Sequence, residues 1–311
     1  MKTHRSRQDA YQDVTDQIIA ALEAGTKPWQ RPWDPSRVGG IGLPFNGATG
    51  RRYSGINTVM LGLSPFALEG DDPRWCTYKQ AADRNWQIRR GERGTTVFFF
   101  QKIDIEDQAA GSEDERVRRV PVMRAYTVFH AAQIDGIPPY VPPSLEATPW
   151  RRPEAAEIIL RNSGADIRIG GTEAYYNPLT DHIQLPPDSA FDTPERWLSV
   201  AMHELGHHSG AKHRLNRDLS GKFGTASYAA EELRVDISAG MIAAELGLPA
   251  EIPNHASYVS SWIKCLRNDR REFFRAAADA QKIADYCLAF HPDYRAMLER
   301  PAEPDAIPKA A

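Results

Sequence analysis

The sequence predicts an α+β protein of two domains. Three observations say so: helical periodicity and short β-branched runs mix along all 311 residues, a proline-dense segment interrupts them, and each side of it has its own helices and strands. A chain of this length has room for two domains of ordinary size. Residues 1–136 make the first, α+β with a small antiparallel sheet. Residues 137–152, which include Ile137-Pro138-Pro139-Tyr140-Val141-Pro142-Pro143, make an extended linker. Residues 153–295 make the second domain, and 296–311 an Ala/Pro-rich tail expected to be disordered.

The elements follow from local pattern. Tyr11, Val14, Ile18, Ile19 and Leu22 recur at helical spacing over Asp9–Ala24, and Gly25 stops that helix. Pro28 to Pro44 must be loop. Trp75 to Arg90 reads as a short strand and a helix, Thr95–Lys102 as a strand, Glu106–Arg119 as a polar mobile loop, and Val120–Ala132 as a strand. Beyond Pro153 a helix to about Asn162 precedes strands near Ile167, Tyr175 and His182–Leu185. Helices then carry Trp197–His207, Asp236–Leu246 and Ser257–Phe290.

Composition excludes several classes. A hydrophobic content of 41% with 25% charged residues is that of a soluble globular protein. No run approaches the roughly 18 apolar residues of a membrane span, and the polar first residues lack the apolar core of a secretory signal. Cys76, Cys265 and Cys287 are odd in number and widely spaced, so a reducing cytoplasm is the expected location. The net charge of −3 hides an asymmetry: residues 1–103 hold 15 Lys/Arg against 10 Asp/Glu, and residues 151–311 hold 19 against 23. A polyanion would therefore meet the front half.

The chemistry concentrates in His203-Glu204-Leu205-Gly206-His207. On a helix, positions i and i+4 share a face, so both imidazoles reach one ion while Glu204 stands beside it as a general base for water. This is the HExxH signature of zinc-dependent hydrolases of the zincin type. Gly206 is a poor helix former and implies close approach by another backbone. The third ligand has three candidates. Asp236 is preferred, on a helix whose Ala239 and Gly240 suit tight packing. His213 completes an HExxHxxGxxH string, but no Met-turn follows it. Glu232, one turn before Asp236, is a ligand or a carboxylate that orients a histidine. Zn²⁺ is the default ion by affinity order, with Mn²⁺ or another divalent ion by availability.

A family comes into view on many ordered motifs. The front half carries Pro28-Trp29, Pro32-Trp33, Pro44-Phe45-Asn46-Gly47 through Arg51-Arg52-Tyr53-Ser54-Gly55, Trp75-Cys76-Thr77-Tyr78-Lys79, Arg89-Arg90-Gly91-Glu92-Arg93-Gly94 and Tyr126-Thr127-Val128-Phe129-His130. It resembles the N-terminal domain of ArdC-type antirestriction proteins and of the TraC primases of plasmid conjugation. The rear half, with the HExxH string, Arg214-Leu215-Asn216-Arg217, Tyr228-Ala229-Ala230-Glu231-Glu232-Leu233 and Ala256-Ser257-Tyr258, resembles the zincin-like metallopeptidase domain that accompanies it. The likeness spans roughly residues 8–290.

The resemblance implies a first domain that binds single-stranded DNA without reading sequence, and a protein that shields incoming plasmid DNA from restriction during conjugation. It implies a metal site of His203, His207 and an acidic residue in the helix after Glu231-Glu232-Leu233. The family usually shows Glu where Asp236 stands, and commonly no histidine at His213. The residues themselves are compatible, since single strands are held by cations along the backbone and by rings on which bases stack. Arg51, Arg52, Tyr53, Lys79, Arg89, Arg90 and Arg93 are the expected DNA contacts, with Tyr53 the preferred stacking ring. The segment Tyr175 to Leu185 is an expected edge strand for a peptide, and subunits of host restriction enzymes are the expected protein target. The alternative is a DNA-coating protein without catalysis, whose metal domain is structural or docks a partner.

Overall fold

The computed structural model describes residues 7–30, 43–66, 72–106, 117–141, 153–222, 224–249 and 256–299. Most of the expected connector, loop and linker, and the tail beyond 299, lie outside the described residues. The chain divides into two compact units, Met1–Pro142 with Ala256–Asp279, and Pro143–His255 with Ala280–Ala311.

The first unit opens with α1 (Arg7–Glu23), which buries Val14, Ile18, Ile19 and Leu22 and ends before Gly25 at φ 78°. There follow β1 (Phe45–Asn46), α2 (Ile56–Gly62), β2 (Arg74–Thr77), α3 (Tyr78–Ala82), β3 (Gln87–Ile88), β4 (Thr95–Glu106), β5 (Val117–His130) and β6 (Ile134–Asp135). The main sheet has the order β1-β2-β5-β4, with β1 parallel to β2 and the other pairs antiparallel. A second ribbon pairs β3 with β6. Alternation along the strands turns Trp75, Val97 and Val128 inward against Tyr53 and Leu61. The helix α3 starts with a capping box. Thr77 Oγ1 accepts from the Gln80 backbone at 3.2 Å, and the Gln80 side chain accepts from the Thr77 backbone at 3.0 Å. At the β4 edge the Asn57 amide acts as one residue of a missing strand: it donates to Phe98 O and accepts from Phe98 N, each at 2.7 Å.

The second unit begins with α4 (Pro153–Asn162), whose Ala155, Ala156, Ile159 and Leu160 are buried. A three-stranded sheet comes next: β7 (Asp166–Ile169), β8 (Tyr175–Asn177) and β9 (His182–Leu185), in the order β7-β9-β8. The β7–β9 pair is parallel and the β8–β9 hairpin antiparallel, so β8 lies at an edge. Then come α5 (Pro194–His208) and α6 (Ala226–Leu246). Thr193 caps α5 by accepting from the Arg196 backbone, with Pro194 at the first helical position. Thr225 caps α6 in the same manner, and Gly247 closes it in the left-handed region at φ 69°.

The C-terminal helices are α7 (Ala256–Asn268), α8 (Glu272–Leu288) and α9 (Pro292–Leu298). By their contacts, Ala256–Asp279 group with the first unit. The reason is aromatic packing. Trp29 meets Trp262 and Phe273 at ring-centre distances of 6.0 and 5.7 Å, and Phe274 takes Tyr11 and Phe98 at 4.6 and 5.5 Å. The rest of α8 gives Ile283 and Cys287 to the core of the second unit, where they reach Gly206 and Leu205. Among the described residues no helix is long and apolar enough to cross a membrane.

The contact that positions the site is the one between α5 and α6. A Cβ on Gly206 would stand 2.9 Å from Val235 Cγ1 and 3.6 Å from Ser238 Oγ, so the two helices meet where one has no side chain. Val235 is buried and β-branched, with little rotamer freedom to yield. Gly206→Ala is therefore expected to destabilise the second unit by about 1–3 kcal/mol despite the better helix propensity of alanine. A chemical-denaturation midpoint at or above that of the unaltered chain would contradict this packing.

Candidate metal centre

The helix α5 places His203 and His207 on one face, with their Nε2 atoms 3.2 Å apart. Opposite them α6 presents Glu232, whose carboxylate oxygens lie 3.7 Å from His203 Nε2 and 3.4 Å from His207 Nε2. One donor atom from each of the three residues falls within 4.8 Å of the others. Glu232 is the carboxylate that comes within reach of both imidazole Nε2 atoms. Asp236 sits one turn further along α6, fully buried and outside this cluster. The Gly206–Val235 contact sets which level of α6 faces the imidazoles, and it brings Glu232, one of the three candidates for third ligand, up to them. His213 is exposed beyond the end of α5, beside Arg214 at 2.6 Å and Asp181 at 3.5 Å.

Two imidazole nitrogens and a carboxylate, buried at His203 and Glu232 and half-buried at His207, converge from two helices and fit a divalent ion with room for further ligands. The local charges agree. Burial opposes a charge on His207, yet the carboxylates of Glu232, Glu231 and Glu204 outweigh it and raise its pKa well above the usual imidazole value. Burial likewise raises the Glu232 carboxyl, but His207 and His203 overcome this and hold it far below the usual range. Glu204 is buried on α5 and lies close enough to His207 to act on it electrostatically.

Around this cluster stand residues that sequence reading missed. Glu231, the neighbour of Glu232, approaches the other imidazole nitrogen, His207 Nδ1, at 3.4 Å. Arg217 holds Glu231 with Nη2 at 2.7 Å and Nε at 3.1 Å. A second network ties the β8–β9 hairpin to the end of α5. Tyr176 donates to Asp181 at 2.7 Å, Arg214 pairs with both Asp181 oxygens, and Arg214 Nε donates to His208 O at 2.6 Å. The Arg214 hydrogen bond holds the Asp181 carboxyl down at about 2, and burial, with Asp181 beside it, pushes Tyr176 up to about 12. Arg217 and Arg214 stand in a loop without periodicity, so the sequence marked them as part of a family motif but gave them no role.

The expected nucleic-acid residues separate into two groups. Tyr53, the preferred stacking ring, is only 6% exposed. It belongs to the core of the first unit, with its hydroxyl 3.3 Å from Asn46 Nδ2 and its pKa pushed up to about 12 by burial. It cannot offer a face to a base. Trp29 and Trp75 are buried too. Arg51, Lys79, Arg89, Arg90 and Arg93 are exposed and Arg52 is half-buried. Arg89 is engaged by Glu92 at 3.1 Å and Asp135 at 3.4 Å. Tyr78, beside Lys79, is 61% exposed, and Arg84 lies over the half-buried Trp86 ring at 5.7 Å.

Comparison with known proteins joins these observations. Residues 8–129 match the family described as the N-terminal domain of anti-restriction factor ArdC, and residues 154–279 the one described as zincin-like metallopeptidase. The chain is similar to the metal-free crystal structure of the antirestriction ArdC protein from plasmid R388, with a TM-score of 0.76 and 35% identity, covering 92% of this chain and 98% of that one. The Mn(II)-bound structure of that protein gives 0.73 and 37%, covering 91% and 98%. Protein y4eC of Sinorhizobium fredii (strain NBRC 101917 / NGR234) is 43% identical over 94% of this chain and 95% of its own length. A DNA primase TraC of Escherichia coli is 42% identical over 90% of this chain, which spans 27% of that protein.

If Glu232 completes the donor set, Glu232→Ala weakens Mn(II) or Zn(II) binding more than Asp236→Ala does, in calorimetric titration of the folded variants. The reverse ranking would return the ligand role to Asp236.

Proposed function

The chain belongs to the ArdC family of antirestriction proteins, and from that premise we propose that its first unit binds single-stranded DNA while its second is a divalent-ion-dependent peptidase. The observation that carries the second half is the buried meeting of His203, His207 and Glu232 beside Glu204. A divalent ion at this place supplies a Lewis acid that polarises a carbonyl and eases the ionisation of water. The chain's own part is then clear. His203, His207 and Glu232 would hold the ion, and the Glu204 carboxylate would take a proton from water and return it to the leaving amine. The edge strand β8, braced through Tyr176, Asp181 and Arg214, offers backbone groups to an extended peptide. Zn²⁺ and Mn²⁺ both suit two nitrogens and a carboxylate, and the Mn(II)-bound relative favours including the second.

On the DNA side, exposure moves the stacking role from Tyr53 to Tyr78, with Trp86 beneath Arg84 as a second ring. Lys79, Arg90 and Arg93 are the cations along the phosphates. Such a surface grips a backbone and ring faces without reading base edges. That suits the shielding of a single strand of any sequence as it enters a cell during conjugation. The protein works in the recipient cytoplasm, and subunits of restriction enzymes are its peptidase target.

Two experiments test the halves. Glu204→Gln is expected to keep ion binding and to lose both cleavage of restriction-enzyme subunits and plasmid protection in a conjugation assay. Full protection by this variant, with no cleavage by the unaltered protein, would leave a DNA-coating role alone. For the first unit, affinity for a single-stranded oligonucleotide should fall steeply as salt rises, and Arg90→Ala with Arg93→Ala should flatten that slope. Tyr78→Ala should weaken binding by about 1–3 kcal/mol with the slope unchanged. Unaltered affinity in Tyr78→Ala would take the ring out of the interface.

A further inference from the structure

We infer that Arg217 is a positioning residue for the metal centre, acting through Glu231 on His207; the inference rests on the ion site proposed above. Its guanidinium, 10% exposed, uses several donors at once. Nη2 donates to Glu231 Oε1 at 2.7 Å and to Gly206 O at 2.7 Å, Nε to Glu231 Oε2 at 3.1 Å, and Nη1 to Ser209 Oγ at 2.9 Å. One planar fork thus binds the exposed carbonyl end of the His helix and a carboxylate of the facing helix. The carboxylate in turn stands 3.4 Å from His207 Nδ1. An imidazole that donates through Nδ1 keeps its lone pair on Nε2, and the direction of that hydrogen bond sets the plane of the ring. Arg217 therefore fixes the acceptor, the acceptor fixes the ring, and the ring aims Nε2 at the point shared with His203 and Glu232.

The seat for the guanidinium is built into the backbone. Gly210 has no side chain where a Cβ would come within 2.8 Å of Arg217 Nη2 and 2.9 Å of Leu219 Cδ2. The Arg217 N–H donates to Gly210 O at 2.9 Å, and the Asn216 N–H to Ala211 O at 3.1 Å. Asn216 lies in the left-handed region at φ 51°, and with it the loop turns back so that residue 217 returns over the end of α5. This arrangement serves one side chain, and that side chain touches both helices of the centre.

The test uses the full chain, stripped of metal by chelation, checked for fold by circular dichroism, and titrated with Mn(II) and separately with Zn(II). Arg217→Met and Glu231→Gln should each weaken ion binding by about tenfold to a hundredfold. The double variant should bind no more weakly than Glu231→Gln alone, because the arginine acts through the carboxylate. A merely structural role predicts a lower melting temperature with unchanged affinity in the folded protein. That result, or losses that multiply in the double variant, overturns the inference. Should Arg217→Met fail to fold, Glu231→Gln, nearly identical in size, decides alone, and unaltered affinity there overturns it. An unaltered chain that binds neither ion removes the site and this role together. Binding that survives in both variants removes only the role of Arg217.

Discussion

The second unit is organised by a missing side chain. Because Gly206 has none, α5 and α6 approach until Val235 fills the space, and that contact fixes the offset between the helices. The carboxylate pair of α6 then stands level with the histidine pair of α5. Adjacent helical residues point about 100° apart, so Glu231 and Glu232 diverge around His207, one toward Nδ1 and one toward Nε2. A single crossing point thereby assigns different duties to two neighbouring identical residues. The face shared by His203, His207 and Glu232, the Glu231 carboxylate and its Arg217 partner all inherit their geometry from it.

This crossing also explains what could be read in the sequence. The spacing of His203 and His207 is a property of one helix, so it was legible without a partner, and Gly206 announced that a partner came close. Which carboxylate faces both histidines was not legible to within a turn. Glu232 and Asp236 lie four apart on one face of α6, and periodicity treats them as equals. Only the offset of two helices distinguishes them, and no local pattern records it. Arg217 was harder still, since an ion pair made by an aperiodic loop has no spacing to betray it.

In the first unit the two long strands were legible from β-branched and aromatic runs, while the helix start at Thr77 shows itself only in the structure. Tyr53 was misleading for a physical reason. Two arginines before it and a glycine soon after suggested an exposed turn. Instead Arg51 stays exposed, Arg52 is half-buried, and the next side chain turns inward against Leu61 and Trp75. Flanking charge describes its own positions and says little about the residue between. Tyr78 is the converse case, a ring at the start of a short helix that α3 carries outward.

The return of Ala256–Asp279 to the first unit bears on how the molecule can be taken apart. A fragment cut in the proline-rich segment keeps every strand of the sheet, yet loses Trp262, Phe273 and Phe274. Trp29 and Phe98 would be stripped of their aromatic cover. Such a truncated piece invites aggregation rather than a clean module. During synthesis on the ribosome, the unit begun first must likewise await α7 and the start of α8, made after the second unit's sheet, before its interior can close.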